Sequence, residues 1–332
     1  MLSLPLGIAV SLVLTPLARR VAIRYSILDV PDGTRYNRAA IPLLGGVAVT
    51  ASILFAWLIT HAISGLFVTS AELLILAGFA LSFVLGMYDD RNGMQARWKL
   101  LSQFVCGAFL AGGCYAGNLA GPWFLLPVLL LWVVGIMNAI NFLDNMDGIA
   151  GGVSGIASLA FAGLLAMHGQ WVGLVIAGAT CGASVGFLTY NFPPARIFLG
   201  DAGSLPLGYL LSALSILAAG SSGGHAIVAP FVVLGYPVFD IAFVTIVRMR
   251  ERRRFYEGGK DHSSHRLASL LRSPRKTALT IYALCLGLAM LAFAVERTGG
   301  LLVSISVPAA LLLCFVFFGA RLSRVKTGRS SS

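Results

Sequence analysis

The chain has 332 residues, of which 58% are hydrophobic and 11% are charged, and its mean hydropathy is +0.86. A soluble domain carries about 25% charged residues, so this composition excludes an ordinary water-soluble fold. The net charge of +11 suits either nucleic acid or an anionic membrane. Because the basic residues flank apolar runs, they favour membrane topology signals, and we expect no nucleic-acid partner.

Eleven apolar runs follow one another along the chain, most of them close to the ~20 residues that a helix needs to cross a bilayer. Backbone polar groups in lipid must be satisfied internally, so the runs predict helices. The expected fold class is all-α, a polytopic integral membrane protein of about eleven transmembrane helices. They form one domain over 1–320, followed by a tail at 321–332. The runs are 2–18, 43–63, 71–88, 100–117, 123–140, 149–168, 171–189, 204–220, 226–247, 277–295 and 300–319.

Lysine and arginine are concentrated on one side of this arrangement. Only Arg297 falls in a loop of the opposite side. Cytoplasmic loops carry the excess of Lys and Arg, so we predict an outside N-terminus, a cytoplasmic C-terminus and an inner (plasma) membrane location. The other 23 of the 24 basic residues lie in the predicted inner loops 19–42, 89–99, 190–203 and 248–276 and in the tail from Arg321, while the remaining inner loop, 141–148, has none.

The first predicted inner loop runs from Asp29 to Gly46 and contains helix-breaking prolines and glycines. Gly45 and Gly46 open the second span and predict a close backbone approach there. The alternative is a simple turn with a small-residue helix contact.

The second loop brings two adjacent carboxylates, Asp89 and Asp90, to the end of an apolar run. Neighbouring carboxylates raise each other's pKa, so the pair predicts a bound cation. Hard oxygen ligands suit Mg²⁺, which in turn suits phosphate chemistry. Lys99 then follows as a candidate contact for an anionic ligand, with a plain topology charge as the alternative.

The third loop ends a strongly apolar span with four polar side chains. Asn138 and Asn141 are spaced three apart, as are Asp144 and Asp147. If the segment stays helical, the members of each pair project on neighbouring faces. A helix end with Gly148 as its cap explains one asparagine but not the whole set.

The fourth loop reads N-F-P-P-A-R-I-F-L-G-D-A-G-S-L from Asn191. Its two prolines predict an extended entry, after which a new helix begins with Asp201 or Ser204 as its cap. The glycine-rich N-terminus would offer N–H donors to a phosphate. Arg196 and Phe198 beside it are not explained by capping alone.

The fifth loop reads D-H-S-S-H-R-L from Asp261. His262 and His265 are candidates for binding phosphate or metal or for passing protons, and Arg266 for holding a diphosphate. In the span before this loop, Asp240 is an intramembrane acid. It is a functional candidate by default, with pairing to Arg248 as the equal alternative.

Together the five blocks resemble the polyprenyl-phosphate N-acetylhexosamine-1-phosphate transferase family, whose members include the phospho-N-acetylmuramoyl-pentapeptide transferases. The resemblance spans Asp29 to Leu267. It implies an all-helical membrane enzyme that moves a sugar 1-phosphate from a UDP-sugar to a polyprenyl phosphate. The reaction releases UMP and uses Mg²⁺, with Mn²⁺ as a substitute. The implied partners are these two substrates and the bilayer, and a homodimer is left open.

The resemblance also implies roles for matching residues. Asp89 and Asp90 correspond to residues that handle metal and activate the lipid phosphate, and Asp201 to a Mg²⁺ ligand. Phe198 corresponds to an aromatic that stacks on uracil. With the residue patterns above, the expected catalytic set is Asp89, Asp90, Asp144, Asp147, His262 and His265; the substrate-binding set is Lys99, Asn138, Asn141, Arg196, Phe198 and Arg266; the metal set is Asp201, Asp89 and Asp90.

Three departures from the family pattern concern the choice of sugar. Ser263 and Ser264 separate two histidines where the muramoyl-pentapeptide branch has three in a row. Asn145 stands where the pattern has glycine, and the first loop lacks a histidine after its arginine. The alternatives are a muramoyl-pentapeptide transferase, a transporter with mid-span acids and inverted repeats, and a structural membrane protein.

Overall fold

The computed structural model describes residues 2–29, 40–117, 122–222, 227–253, 259 and 261–325. Most of the first predicted loop, 30–39, lies outside the described residues, as do parts of the loop 248–276 and of the tail. One short antiparallel pair joins β1 (Leu28–Asp29) to β2 (Ile41–Pro42). The helices are α1 (Ser3–Arg24), α2 (Gly45–Ser64), α3 (Ser70–Asn92), α4 (Ala96–Ala116), α5 (Leu126–Leu143), α6 (Ile149–Met167), α7 (Trp171–Asn191), α8 (Asp201–Ser221), α9 (Ala229–Val233), α10 (Gly235–Arg250), α11 (Ser263–Leu271), α12 (Pro274–Thr298) and α13 (Leu301–Ser323).

The all-α, multi-span class predicted from the sequence is confirmed. Among the described residues, nine helical segments are long and apolar enough to cross a membrane: α1, α2, α3, α5 with its preceding turn, α6, α7, α8, α12 and α13. Helix α4 has 21 residues but is not among these nine. The count of eleven spans and the orientation of the termini stay predictions.

The ninth predicted run, 226–247, is not one continuous helix. It is divided at Leu234 into the short α9 and the longer α10. Pro237 has no N–H to donate to the carbonyl of Val233 four residues earlier, and its ring crowds that carbonyl. The prediction of an unbroken span was therefore wrong here, because it counted apolar residues without weighing the proline.

Helix α8 forms the centre of the bundle. It contacts α2, α3, α5, α6 and α7, and 94% of its most apolar stretch is buried. In α13 the corresponding stretch is 0% buried, so that helix exposes its apolar side chains on the outside of the bundle. The N-terminus of α8 is therefore held by its neighbours, and several of the predicted site residues contact it.

Candidate active site

Four helix ends meet around the ammonium group of Lys99, in the first turn of α4. Its Nζ lies 2.8 Å from Oδ2 of Asp89, near the end of α3, and 2.5 Å from Oδ2 of Asp201, the first residue of α8. Lys99 also donates to Asn141 Oδ1 at 3.3 Å, and Asn141 Nδ2 donates to Asp201 Oδ1 at 2.6 Å. Residues from four segments of the sequence thus form one hydrogen-bonded group, the lysine cluster (Asp89, Lys99, Asn141 and Asp201).

The turn between α3 and α4 directs Asp89 toward Lys99. Gly93 has a φ of +67°, which favours glycine, and the Met94 amide donates to Asp89 Oδ1 at 2.6 Å. One helical turn before Asp89, Gly86 lies against the start of α8. A Cβ at Gly86 would come within 2.2 Å of the Asp201 carbonyl oxygen. The absence of a side chain at Gly86 therefore allows the C-terminal end of α3, which carries Asp89 and Asp90, to pack against the start of α8.

Asp90 caps helix α8 from outside that helix. Its Oδ1 accepts the Asp201 N–H at 2.8 Å and its Oδ2 accepts the Ala202 N–H at 2.9 Å. The helix has Gly200 as its N-cap residue and no side-chain cap of its own, so the prediction of Asp201 or Ser204 as the cap was wrong. The first two N–H donors expected to meet phosphate are instead bonded to a carboxylate, which also complements the helix dipole. A metal role for Asp90 stays a prediction.

Asp144 and Asp147 lie in the turn after α5, which ends at Leu143, so the helical spacing expected for them does not apply. Asp144 Oδ2 accepts the Gly200 N–H at 3.1 Å, and Asp147 Oδ2 accepts the Ala195 N–H at 2.8 Å. Both carboxylates therefore hold the segment 192–200, which leads into α8. Their catalytic roles stay predictions.

Asn138 lies one turn deeper in α5 and pairs with an amide that the sequence reading overlooked. Its Nδ2 donates to Gln103 Oε1 at 2.7 Å, and Gln103 Nε2 donates back to its Oδ1 at 3.3 Å. Gln103 is four residues after Lys99 and so lies on the same face of α4. That spacing was the available signal. The pair joins α4 to α5 below the lysine cluster, whereas the substrate-binding role predicted for Asn138 stays untested.

Phe198 is held in place by its backbone. Its N–H donates to the Pro42 carbonyl at 2.8 Å, and its carbonyl accepts the Gly45 N–H at 2.9 Å. A Cβ on Gly45 would come within 2.3 Å of that same carbonyl oxygen, which confirms the close approach predicted for the glycine pair. The Phe198 side chain is half-buried and that of Arg196 is exposed. The Arg196 carbonyl also accepts a bond from Arg19 Nε at 3.1 Å.

The histidine loop packs beside α5. The His262 ring meets the edge of Phe142 at 5.6 Å between centroids and that of His265 at 6.0 Å. Ser264 Oγ donates to Asn145 Oδ1 at 2.7 Å. Two of the departures from the family pattern, Asn145 and Ser264, therefore contact each other and fasten this loop to the turn after α5.

The Arg266 side chain binds the C-terminal end of α13. Its Nη1 donates to the carbonyls of Leu322 (3.2 Å), Ser323 (3.1 Å) and Val325 (2.8 Å) at the C-terminus of α13. A cation there complements the helix dipole. Burial lowers the pKa of the Arg266 guanidinium below its ordinary value. The role in gripping a diphosphate predicted for Arg266 stays a prediction.

Asp240 pairs with His262 and not with Arg248, the pairing given above as the equal alternative to a functional role for Asp240. Asp240 Oδ2 lies 3.0 Å from His262 Nδ1, whereas Arg248 binds Asp261 through two bonds of 2.9 and 3.0 Å. Arg253 adds a third bond to Asp261 at 3.1 Å. Burial raises the pKa of Asp261, but the hydrogen bonds and charge of Arg248 outweigh it and hold that pKa below the ordinary value. The spacing of these residues in the sequence does not determine that Asp240 pairs with His262 and Arg248 with Asp261.

The lysine cluster fits Mg²⁺ by the chemistry of its donors. Oδ2 of Asp89 and of Asp201 both face the same ammonium group, and Asn141 adds an amide oxygen. Among the described residues no group of three His, Cys, Asp or Glu side chains is arranged as a complete metal site. Mg²⁺ is commonly bound by one or two carboxylates, with water and substrate phosphate completing its shell. A substrate-completed site therefore suits these residues better than a closed protein cage.

The sequence profile of glycosyl transferase family 4 matches residues 72–219. This range runs from the start of α3 to the end of α8. It contains the whole lysine cluster, Asp90 and Phe198, and stops before the histidine loop.

Curated relatives extend the similarity beyond that range. The chain is 32% identical over 282 residues to a probable undecaprenyl-phosphate N-acetylglucosaminyl 1-phosphate transferase of Bacillus subtilis, covering 82% of this chain and 78% of that protein. It is 30% identical over 302 residues to a decaprenyl-phosphate N-acetylglucosaminephosphotransferase of Mycobacterium tuberculosis, covering 80% and 74%. It is 34% identical over 237 residues to a phospho-N-acetylmuramoyl-pentapeptide-transferase of Desulforudis audaxviator, covering 62% and 71%.

Proposed function

Because the chain belongs to glycosyl transferase family 4, we propose that it transfers an N-acetylhexosamine 1-phosphate from a UDP-sugar to a polyprenyl phosphate. N-acetylglucosamine is the favoured sugar. The relative named for that sugar matches 82% of the chain, against 62% for the muramoyl-pentapeptide relative. Transfer of the muramoyl-pentapeptide unit is the alternative within the same reaction class.

The observation that carries this proposal is the lysine cluster itself. One ammonium group is held between two carboxylates and an amide at the ends of four helices. Such a group of fixed charges suits a diphosphate, whose transfer depends on positioning and on charge stabilisation rather than on covalent chemistry from the protein. A transporter is expected to carry its ionisable groups near mid-span, and these lie at helix ends instead.

In the proposed reaction, an oxygen of the lipid phosphate attacks the β-phosphorus of the UDP-sugar. A new P–O bond forms to the lipid, the bond from β-phosphorus to the bridging oxygen breaks, and UMP leaves with the electron pair. Lys99 offsets the repulsion between the two anions. A double displacement, in which Asp89 or Asp90 attacks the β-phosphorus first and the lipid phosphate then takes the sugar phosphate from the aspartyl phosphate, is the alternative route to the same products.

We propose Asp201 and Asp89 as the residues that would hold Mg²⁺, with Asn141 orienting Asp201. When bound, the ion would supply positive charge to the diphosphate and to the leaving UMP. The protein's own part is to fix Asp201 through Asn141, which also donates to Ser204 Oγ at 2.9 Å. The distribution of Lys and Arg favours the cytoplasmic side for this site.

The experiment is a transfer assay with purified protein, UDP-N-acetylglucosamine and undecaprenyl phosphate. It measures lipid-linked product and UMP together, with and without Mg²⁺. We expect both products to appear in equal amounts in wild type and to fall by at least about 100-fold in Asp201→Asn.

The matched control is Glu296→Gln, a buried carboxylate at the other end of the bundle. Glu296 Oε1 lies 2.7 Å from His168 Nε2, and Oε2 accepts from Ser222 Oγ at 2.9 Å. This variant should keep wild-type turnover. An equal loss in both variants, or wild-type turnover in Asp201→Asn, would contradict a site at the lysine cluster.

A further inference from the structure

We propose that Asp240 is a positioning residue that fixes the proton on Nδ1 of His262, so that only Nε2 exchanges a proton with a bound phosphate group. This proposal rests on the proposed function, since it supplies a proton carrier for the same transfer. A buried hydrogen-bond network beneath the histidine loop links Tyr236 and Asp240 of α10 to His262 and Ser263 at the start of α11.

Asp240 is a fully buried carboxylate, 0% exposed, whose two oxygens have different partners. Oδ2 lies 3.0 Å from His262 Nδ1. Oδ1 accepts both the backbone N–H of Ser263, at 2.9 Å, and its hydroxyl, at 2.5 Å. The Ser263 hydroxyl is also 2.9 Å from the Tyr236 hydroxyl. Oδ1 therefore accepts only from Ser263, and Oδ2 faces His262.

The chemistry of a carboxylate determines the form of the ring. An ionised carboxylate only accepts hydrogen bonds, so the nitrogen opposite Asp240 must carry a hydrogen. In the neutral imidazole the second nitrogen, Nε2, then bears a lone pair and no hydrogen. A carboxylate in this position fixes both the tautomer and the orientation of the ring.

The remaining nitrogen is available to a ligand. Within the described part of the chain, His262 Nε2 has no hydrogen-bond partner, and the side chain is 7% exposed. The ring packs against Phe142, which directly follows Asn141 of the lysine cluster. The open nitrogen thus belongs to a ring that is packed against the helix supplying one wall of the proposed site.

The proton transfer balances without any further reagent. A phosphate monoester has its second pKa near 6, so part of the lipid phosphate carries one proton near neutral pH. Nε2 takes that proton, the ring becomes an imidazolium between phosphate and Asp240, and the dianionic phosphate oxygen is free to attack. Asp240 stabilises this imidazolium without being protonated itself.

Asp240→Asn reverses the tautomer for a geometric reason. The Ser263 backbone N–H can only donate, so the Asn oxygen must stay on that side. The Asn amide nitrogen then faces His262 Nδ1 and donates to it, which moves the ring proton to Nε2. The substitution keeps the size of the side chain and removes the acceptor nitrogen that the proposal requires.

The first test is the ¹⁵N spectrum of histidine-labelled wild-type protein, with the His262 signals assigned by comparison with His262→Gln. We expect a hydrogen on Nδ1 and none on Nε2 at neutral pH. The opposite tautomer would overturn the proposal. This measurement needs neither substrate nor an active variant, so it is separate from the fate of the proposed transfer reaction.

The second test measures kcat, and KM for UDP-N-acetylglucosamine, between pH 6 and 9. We expect Asp240→Asn to lower kcat by about 100-fold or more, to change KM by less than about threefold and to alter the pH dependence of kcat. In a His262→Ala background the same substitution should have no further effect. The control is Tyr236→Phe, which loses a hydroxyl from the same network and should keep the wild-type pH profile.

Three outcomes would overturn the proposal: wild-type kcat in Asp240→Asn, losses that add in the double variant, or an equal change of pH profile in Tyr236→Phe. If wild type makes no lipid-linked sugar phosphate while the ¹⁵N spectrum shows the expected tautomer, the proposed function fails and the Asp240–His262 pairing stands.

Discussion

Replacing Lys99 by methionine removes the charge at the centre of the lysine cluster while keeping a long unbranched side chain. Asp89 and Asp201 then face each other without the ammonium group that lies 2.8 and 2.5 Å from them. The exposed fractions of the three side chains are 19% for Lys99, 11% for Asp89 and 26% for Asp201, so water screens the contacts only in part. We expect both substrate binding and transition-state stabilisation to suffer.

The magnitude follows from these contacts. Removing one preorganised group that stabilises charge in a transition state costs about 2.7–4 kcal/mol of activation free energy. The partial exposure of Asp201 places this case at the lower end, about 3 kcal/mol, or roughly a 150-fold loss of kcat/KM at 1.36 kcal/mol per tenfold. Asp89 and Asp201 both lose their cation in this variant, so we expect the loss of kcat/KM to be at least this large.

The assay is the kcat/KM for UDP-N-acetylglucosamine at saturating lipid phosphate. The matched control is Arg97→Gln, which removes the same charge two residues away. Arg97 Nε bonds Gln95 Oε1 at 3.0 Å on the exposed surface, so this variant should stay within about threefold of wild type. A Lys99→Met enzyme as active as Arg97→Gln would refute the reasoning.

Four further predictions follow from the same contacts. Asp201→Asn should lose the Mg²⁺ dependence of any residual turnover, measured by titrating Mg²⁺ from zero. Phe198→Ala should raise KM for the UDP-sugar by roughly 5- to 150-fold, the equivalent of about 1–3 kcal/mol of stacking, and leave KM for the lipid within threefold. Gln103→Leu should destabilise the folded protein by about 1–3 kcal/mol in a thermal or denaturant melt, because Asn138 Oδ1 loses its donor and Nδ2 keeps only its bond to the Val134 carbonyl at 2.8 Å, and Gln103→Leu with Asn138→Leu should recover most of that. The folded-state pKa of Asp261 lies below its unfolded value, so the stability it contributes is present above about pH 4 and is lost as the pH falls through the folded pKa.

Each of these has an outcome that contradicts it. An unchanged Mg²⁺ titration removes Asp201 from the metal site, and equal changes of both KM values argue against a uracil platform at Phe198. Additive losses in the double leucine variant mean that Gln103 and Asn138 do not act as a pair. For Asp261, the melting-temperature difference between wild type and Asp261→Asn should shrink from pH 6 to pH 3, and a constant difference would show that its ionisation does not stabilise the fold.

Much of the bundle was predictable because hydropathy reports directly on lipid exposure. The described helices follow the predicted apolar runs to within a few residues at each end, except that the run 226–247 is divided between α9 and α10. Even there the cause, Pro237, is visible in the sequence. The predicted meeting of Asp89 and Asp201 at one end of the bundle also follows from alternation of the spans, since their runs end or begin on the same side.

The contacts of the individual acids could not be predicted from hydropathy or spacing. Asp89 and Asp90 are adjacent, yet one faces Lys99 and the other caps α8, because successive residues of a helix point about 100° apart. The choice of Asp240 for His262 depends on how α10 and α11 pack, which no local spacing reports. The charge pattern predicted that these acids lie at one end of the bundle, and tertiary packing determines which group each carboxylate contacts.

The most direct test of the central claim is a double-label transfer with UDP-N-acetylglucosamine that carries ³²P in the β-phosphate and ¹⁴C in the sugar. We predict that both labels enter the polyprenyl fraction in a one-to-one ratio, with unlabelled UMP released, and that both fall together by at least about 100-fold with Asp201→Asn. Sugar label in lipid without the phosphorus label, with UDP released, would contradict it, as would the absence of both labels from lipid in the wild-type reaction.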